Sequence, residues 1–293
     1  MPLAGGEAAI ELRRLRNIGE YRRCEELQQR IWGPDDVGCV SALVMITAQE
    51  NGGATFGAFA GGSGGRGGSG RLVGFVCGFL GSGETGRPKL CSVLLAVDPD
   101  FRGRGIAYEL KRRQRDAALA QGIELITWTY DPLASVNAGL NLGRLGCVCS
   151  RYLPNCYGLF TGGINAGIAT DRFLVEWRVG EPRVEQALRG ELPPLPYRAP
   201  LVAEVKVHAS SGLPVPLRWH LARDEPALLV EAPPDIHAIK RTDIGLARCW
   251  LYAFREIFPH YFARGYEVAG FGPLRDPRRR AYLLRVREHG AAA

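Results

Sequence analysis

Leu90-Cys91-Ser92-Val93-Leu94-Leu95-Ala96-Val97 is followed by Asp98-Pro99-Asp100 and then by Phe101-Arg102-Gly103-Arg104-Gly105-Ile106-Ala107. The first run is mostly apolar and predicts a strand, which Pro99 ends because proline has no N–H to give a ladder. Gly103 and Gly105 then allow a close turn, and Ile106, Leu110 and Ala117 continue as apolar positions of a helix that Gly122 is suited to stop. A strand, a glycine turn and a helix start gather backbone N–H groups at the positive end of a helix dipole. Such a turn holds phosphate, and Arg102 and Arg104 add donors. One exposed anion at a helix start gains only about 0.3–1 kcal/mol, so a site needs several amides and arginine together.

The turn lacks the Gly-Lys-Ser/Thr ending of a nucleoside-triphosphate loop. It also lacks the three-glycine dinucleotide fingerprint, and the next strand, Glu124–Thr129, offers no clear acid for a ribose. What it contains is Arg-x-x-Gly-x-Ala, as Arg102, Gly105 and Ala107. This resembles the pyrophosphate loop of the GNAT superfamily of CoA-dependent N-acyltransferases, where the pattern is Gln/Arg-x-x-Gly-x-Gly/Ala. The resemblance covers roughly residues 8–178 in order and includes an Asn-x-x-x-Asn helix ending at Leu145-Gly146. Longer strings, Trp128-Thr129-Tyr130-Asp131-Pro132-Leu133 and Thr170-Asp171-Arg172-Phe173-Leu174-Val175-Glu176-Trp177, look like a poorly characterised bacterial branch of that superfamily with an appended C-terminal region.

The resemblance implies acetyl-CoA or another acyl-CoA, such as succinyl-CoA, as co-substrate. Arg102, Gly103, Arg104, Gly105, Ile106 and Ala107 would cradle its pyrophosphate. It also implies a splay between the strand before the turn and the strand Glu124–Thr129. At that splay Leu95 and Val97 would pair with pantetheine amides, unless they simply pair with a neighbouring strand. Asn137 and Asn141, four apart and so expected on one helix face, would hydrogen-bond CoA.

Around this centre the chain reads as α+β. Residues 1–180 are expected to form the GNAT fold, with a mixed, mostly antiparallel, splayed sheet flanked by helices. A strand at Ala8–Arg14 and an amphipathic helix at Asn17–Trp32 precede a break at Gly33-Pro34-Asp35-Asp36; Val40–Ala48 fits helix or strand, and Ala54–Ala60 and Leu72–Leu80 are strand-like. The Gly/Ser/Arg-rich stretch Gly61–Gly70 reads as a flexible hairpin loop in preference to a nucleic-acid segment. Residues 181–200 form a short helix and a Pro-rich linker. Residues 201–293 form a smaller α+β region with strands at Leu201–His208, Leu217–Ala222, Ala227–Glu231, Tyr266–Phe271 and Ala281–Val286. A long helix near Arg241–Phe258 is expected to kink or end at Pro259. This region would pack on the sheet, shape the substrate cleft or mediate self-association as a homodimer; His237, Lys240 and Asp243 fit either function or a solvated helix entrance.

A chain of 293 residues with 46% hydrophobic content can bury a sizeable core. The net charge of +7 is almost all arginine, because lysine stands only at Lys89, Lys111, Lys206 and Lys240. That balance favours an acidic ligand by steering. No nucleic-acid partner is expected. No basic-plus-apolar leader opens the sequence and no apolar run approaches membrane-spanning length, so a cytoplasmic protein without a membrane partner is expected. The eight cysteines are scattered, which predicts reduced thiols. Cys147, Cys149 and Cys156 have no histidine near them in sequence, and no metal is expected.

Acyl transfer from a thioester to an amine needs a neutral nucleophile, a polarised carbonyl and a proton for the departing thiolate. Asp131 follows the strand Glu124–Tyr130 and precedes Pro132, which suits either a general base at the strand end or a turn-forming, helix-capping Asp-Pro. GNAT enzymes often place a tyrosine in the last helix as proton donor; here Asn141 stands at that position and is no acid. Tyr130, Tyr152, Tyr157 or water remain as donors. The acceptor side would be built by the first inter-helix loop and the polar segment from Tyr157 through Asn165 to Asp171 and Arg172. Arg172 suits a carboxylate, as on an amino acid, or an internal partner such as Asp171 or Glu176. The expected function is N-acylation of a small amine or amino acid by direct attack in a ternary complex. The alternatives are a GNAT-like module that binds acyl-CoA without turnover and a protein N-acetyltransferase.

Overall fold

The computed structural model describes residues 9–33, 38–61, 70–158 and 167–287. The Gly/Ser/Arg-rich stretch lies outside the described residues except for its two ends, as do Pro34, Asp35, Asp36 and Asn165. Two compact units are present, Met1–Trp128 with Arg178–Gly180, and Thr129–Trp177 with Glu181–Ala293. The units do not follow the boundary expected at residues 181–200. Residues 129–177 cluster instead with the C-terminal region, and a physical reason is that strands from both join one ladder, described below.

In the first unit, β1 (Ile10–Arg14) leads to α1 (Ile18–Trp32), whose cap Asn17 accepts a hydrogen bond from the Glu20 amide at 3.1 Å. A cap of this kind contributes about 1 kcal/mol. The segment that fits either helix or strand is α2 (Ala42–Glu50), and Ser41 caps it through the Val44 amide. Then come β2 (Phe56–Ala60), β3 (Arg71–Ser82), β4 (Pro88–Val97), α3 (Ile106–Leu119) and β5 (Leu125–Tyr130). β1 to β4 pair in order and antiparallel; β4 and β5 are parallel.

Alternation along β3 sorts the layers. Phe75 and Cys77 face the cluster of Tyr21, Cys24, Leu27 and Met45 from α1 and α2. Gly74 and Gly78 face α3: a Cβ on Gly74 would stand 3.2 Å from Ile106 Cγ2, and one on Gly78 would stand 3.0 Å from Gln114 Nε2. α3 also buries Lys111 at 2% exposure. Its Nζ donates to Ser92 Oγ at 2.7 Å and to Gln114 Oε1 at 3.2 Å, and lies 3.6 Å from the centre of the Trp128 ring. Hydrogen bonds and the ring face compensate a cation that burial alone would penalise.

The second unit begins with the end of β5 and continues through α4 (Ser135–Ala138), a π-helical turn (Gly139–Arg144), β6 (Val148–Leu153) and β7 (Arg172–Arg178). α5 (Pro182–Arg189) follows, then the hairpin β8 (Ala203–Val207) and β9 (Pro214–Trp219), and β10 (Ala227–Ala232). The chain closes with α6 (Ile236–Thr242), α7 (Ile244–Ala263), β11 (Tyr266–Pro273) and β12 (Arg280–Val286). β6 pairs with β7 on one side and meets β11 on the other, at Val268↔Cys149, and β12 lies between β11 and β10.

Two helix expectations are corrected. The helix expected near Arg241–Phe258 is two helices, separated at Asp243, whose carboxylate accepts from the Gly245 and Leu246 amides and caps α7. α7 also runs on through Pro259 to Ala263. Phe254, Phe258 and Phe262 are buried before and after the proline, with Phe258 4.7 Å from Phe173 and 5.5 Å from Tyr282 between ring centres. Burial of such rings is worth about 1.5–3 kcal/mol each and outweighs one lost helical hydrogen bond.

Candidate active site

The glycine turn of the first unit is built by a strand that loses its neighbour. β4 pairs with β5 only at Leu90↔Ile126 and Cys91↔Thr127, whereas it stays paired with β3 up to Val97. The ladder shifts between Cys77 and Gly78, which pair with Leu94 and Ser92, so Val93 is an extra residue on β4. Such a bulge bends its strand, here one residue beyond Ser92, where pairing with β5 has stopped. The Asp98 amide donates to Val73 O at 2.9 Å. By alternation, the backbone groups of Leu95 and Val97 therefore point to the edge that β5 has left. Val97 O accepts from Arg102 Nε at 3.3 Å.

Asp98 is fully buried and anchors the turn. Its carboxylate accepts from Arg71 at 2.6 Å and from the Asp100 amide at 3.1 Å, and Arg30 stands 3.0 Å away. A 3₁₀ turn, Pro99–Phe101, leads to Gly103 and Gly105, both at φ 78°. That left-handed backbone favours glycine. Nothing lies within 4 Å of a Cβ built on either. Gly105 caps α3 without any side-chain hydrogen bond, so the first-turn N–H groups of α3 meet no side-chain cap. Arg104 packs its guanidinium 4.8 Å from the centre of the Phe101 ring. Ile106 is buried against β3 and places the helix start, while Ala107 is half-buried. This is an open helix start without a side-chain cap, a geometry that suits an anion.

In the second unit, Asp131 follows β5 and its Oδ1 accepts from the Leu133 amide at 2.9 Å. The turn role is thus present. Tyr130 is placed otherwise than a proton donor requires: it is buried edge-on to Phe173 at 5.8 Å, and burial pushes its phenol well above the usual range. Tyr152 is also buried, and its hydroxyl donates to Asp171 at 2.7 Å. Tyr157 is exposed; its hydroxyl lies 2.7 Å from Thr129 Oγ1, and the Arg172 guanidinium lies 5.4 Å from its ring centre.

Asp171, expected to meet substrate, is 1% exposed. It accepts two hydrogen bonds of 2.7 Å from Arg255, one from Tyr152 and one from the Asn155 amide at 2.8 Å. With every oxygen engaged it serves the fold, and Arg172 has a different environment from the one an Asp171 pair would give. Asn155 itself adopts φ 46°, and the Tyr157 amide donates to Thr170 Oγ1 at 2.9 Å, so this turn holds Tyr157 in place. Asn137 and Asn141 do not share a face. Asn137 is exposed and Asn141 is 4% exposed, because the helix widens into the π turn after Ala138, with the Leu145 amide donating to Leu140 O. Arg255 and Lys111 carry no local sequence signal of these roles, because each sits on an ordinary helical pattern and meets a partner, Asp171 and Ser92 respectively, far along the chain.

Cys147 and Cys149 are buried and Cys156 exposed; among the described residues no three His, Cys, Asp or Glu side chains converge as a metal group. No helix among them is long and apolar enough to cross a membrane.

Residues 22–138 match the acetyltransferase (GNAT) family. Among solved structures, the NatC complex bound to Gag peptide and CoA is similar at 18% identity and a TM-score of 0.46, over 58% of this chain and 98% of that one. The ribosomal-protein-S18-alanine N-acetyltransferase from Escherichia coli is similar at 14% identity and a TM-score of 0.44, over 59% and 95%. An N-acetyltransferase from Staphylococcus aureus Mu50 gives 18%, 0.44, 58% and 98%. No curated protein sequence matches the chain.

Proposed function

We propose that this protein, whose residues 22–138 match the acetyltransferase (GNAT) family, is an acyl-CoA-dependent N-acyltransferase. It passes an acetyl or other acyl group to the amine of a small molecule or amino acid by direct attack, with both substrates bound together. The observation that carries this is the turn from Asp98 to Ala107, where β4 has parted from β5 and two left-handed glycines precede an uncapped helix.

In this reading the pyrophosphate of the thioester lies on the amides at Gly103, Gly105, Ile106 and Ala107. Arg102 and Arg104 supply positive charge. Leu95 and Val97 offer backbone groups to the pantetheine amides. An alkyl amine with pKa near 10.4 is neutral in roughly one molecule per thousand at pH 7, whereas an α-amino group is about one-tenth neutral. Asp131 accepts the proton that the amine must lose. The amine nitrogen bonds to the thioester carbonyl carbon, the C–S bond breaks, and the phenol of Tyr157 protonates the thiolate and recovers its proton from solvent.

The second reading is an acyl-CoA-binding module without turnover, which the buried Asn141 at the usual donor position favours. Release of free CoA thiol from acetyl-CoA and succinyl-CoA, followed against a panel of amines, separates the two. Amine-dependent release supports the enzyme; binding of either thioester without release supports the module.

A further inference from the structure

The β4–β5 ladder pairs Leu90 with Ile126 and Cys91 with Thr127, and the next positions in that register are Ser92 and Trp128. The ladder ends before them, and a side chain from α3 takes its place. Lys111 Nζ donates to Ser92 Oγ at 2.7 Å and lies 3.6 Å from the centre of the Trp128 ring. One ammonium group therefore touches both strands at the first step of their parting. Ser92, Lys111 and Trp128 all belong to the first unit.

An apolar residue would fill this place at less cost. Ile106, Leu110 and Ala118 bury the same helix by packing alone, whereas an ammonium taken from water must have its donors engaged. A second bond of Lys111 Nζ goes to Gln114 Oε1 at 3.2 Å, and Gln114 is itself fully buried. Gly78, paired with Ser92, keeps room for this cluster: a Cβ there would stand 3.0 Å from Gln114 Nε2 and 2.8 Å from Cys91 O. What the polar group adds is direction, because directed donors fix where their acceptors stand, whereas apolar contacts let neighbours slide. The acceptor it fixes is Ser92, the residue before the bulge at Val93. Beyond that bulge lie Leu95 and Val97, whose backbone groups face the edge that β5 has left.

We propose that Lys111 is a positioning residue for acyl-CoA: it holds Ser92 and Trp128 side by side, so that β4 and β5 part just beyond them and the edge from Val93 to Val97 is set for the pantetheine arm. This rests on the acyltransferase reading and adds a residue to its machinery. Lys111 acts through Ser92 and the strand rather than on the ligand. Its loss therefore affects the part of the ligand held in the splay, and leaves the pyrophosphate on the glycine turn.

The test compares the full chain as wild type, Lys111→Met, Ser92→Ala, the double variant and Leu110→Ala, a packing control on the same helix. Calorimetry gives the dissociation constant of acetyl-CoA and, by displacement, that of 3′-phosphoadenosine 5′-diphosphate, the fragment of CoA that ends at the pyrophosphate. Lys111→Met should weaken acetyl-CoA by roughly tenfold or more, the worth of one charged hydrogen bond, and leave the fragment nearly unchanged. Ser92→Ala should act in the same direction, and the double variant should bind acetyl-CoA no more weakly than Lys111→Met, because both remove one shared bond. Leu110→Ala should lower Tm without changing either constant. Hydrogen exchange of the free protein should rise in Lys111→Met over Cys91–Val97 and not over Gly103–Ala107. If Lys111→Met does not fold, Ser92→Ala carries the same comparison. Unaltered acetyl-CoA affinity, an equal loss for both ligands, or the same loss in Leu110→Ala would each overturn the proposal. Failure of wild type to bind acetyl-CoA would instead overturn the acyltransferase reading beneath it.

Discussion

Arg255, on the long C-terminal helix, holds Asp171 at the start of β7 through two parallel hydrogen bonds of 2.7 Å. The carboxylate is buried and also receives Tyr152 and the Asn155 amide, so one acid ties β6, its following turn and α7 together. Replacing Arg255 with Met leaves that charge without its counter-ion, and breaking a buried pair in this way costs about 3–5 kcal/mol. Urea unfolding of Arg255→Met should show a loss of this size. Arg255→Lys should recover only part of it, because a single ammonium cannot reproduce the fork.

Gly105 and Gly212 separate backbone strain from ligand binding. Both have positive φ, 78° and 68°, and nothing lies within 4 Å of a Cβ on either. Valine at each position should cost about 1–3 kcal/mol in strain. Only Gly105→Val should weaken acetyl-CoA binding, by at least tenfold in calorimetry, because its side chain would stand over the amides of the anion site.

Asp131→Asn keeps an oxygen for the Leu133 amide and removes the base. Turnover should fall by about 10²–10⁴, the usual worth of a general base, with thioester affinity unchanged. An unaltered rate across pH would assign Asp131 to the turn alone.

His237 provides a pH test of stability. Burial, then Lys240, lowers its pKa below the ordinary 6.5. The unfolded chain therefore binds the proton more readily, and stability falls as pH drops below about 6.5 toward the lower folded value. His237→Asn should flatten the slope of unfolding free energy between pH 7 and 5 relative to wild type. An identical slope would show that His237 is not desolvated in solution.

Much of this was readable from residue patterns because the physics is local. Asn17 and Ser41 announce their helices, and Ser41 decides the helix where Val40–Ala48 fits two forms. The glycine turn was legible because only glycine suits its backbone. What escaped depends on partners far along the chain. The bulge at Val93 is set by pairing with Cys77 and Gly78, the π turn separates Asn137 from Asn141, and Arg255 meets Asp171 across 84 residues. Proline at 259 sits in α7 because rings on both sides of it pack into one core, which a local rule about proline does not register. The acidic and polar segment before β7 looked like a substrate loop, yet its acid is a buried anchor.

The central claim is that the Asp98–Ala107 turn binds acyl-CoA. Its most direct test is thermal unfolding of the full chain with acetyl-CoA, succinyl-CoA, free CoA, ATP and NAD, each in large excess. A ligand at about a hundred times its dissociation constant adds roughly 2.7 kcal/mol, which for a chain of this size is a rise of about 4–5 °C in Tm. The account predicts such a rise with CoA species and none with NAD or ATP, and its loss in Gly105→Val. A folded protein whose Tm is unmoved by every CoA species would contradict it.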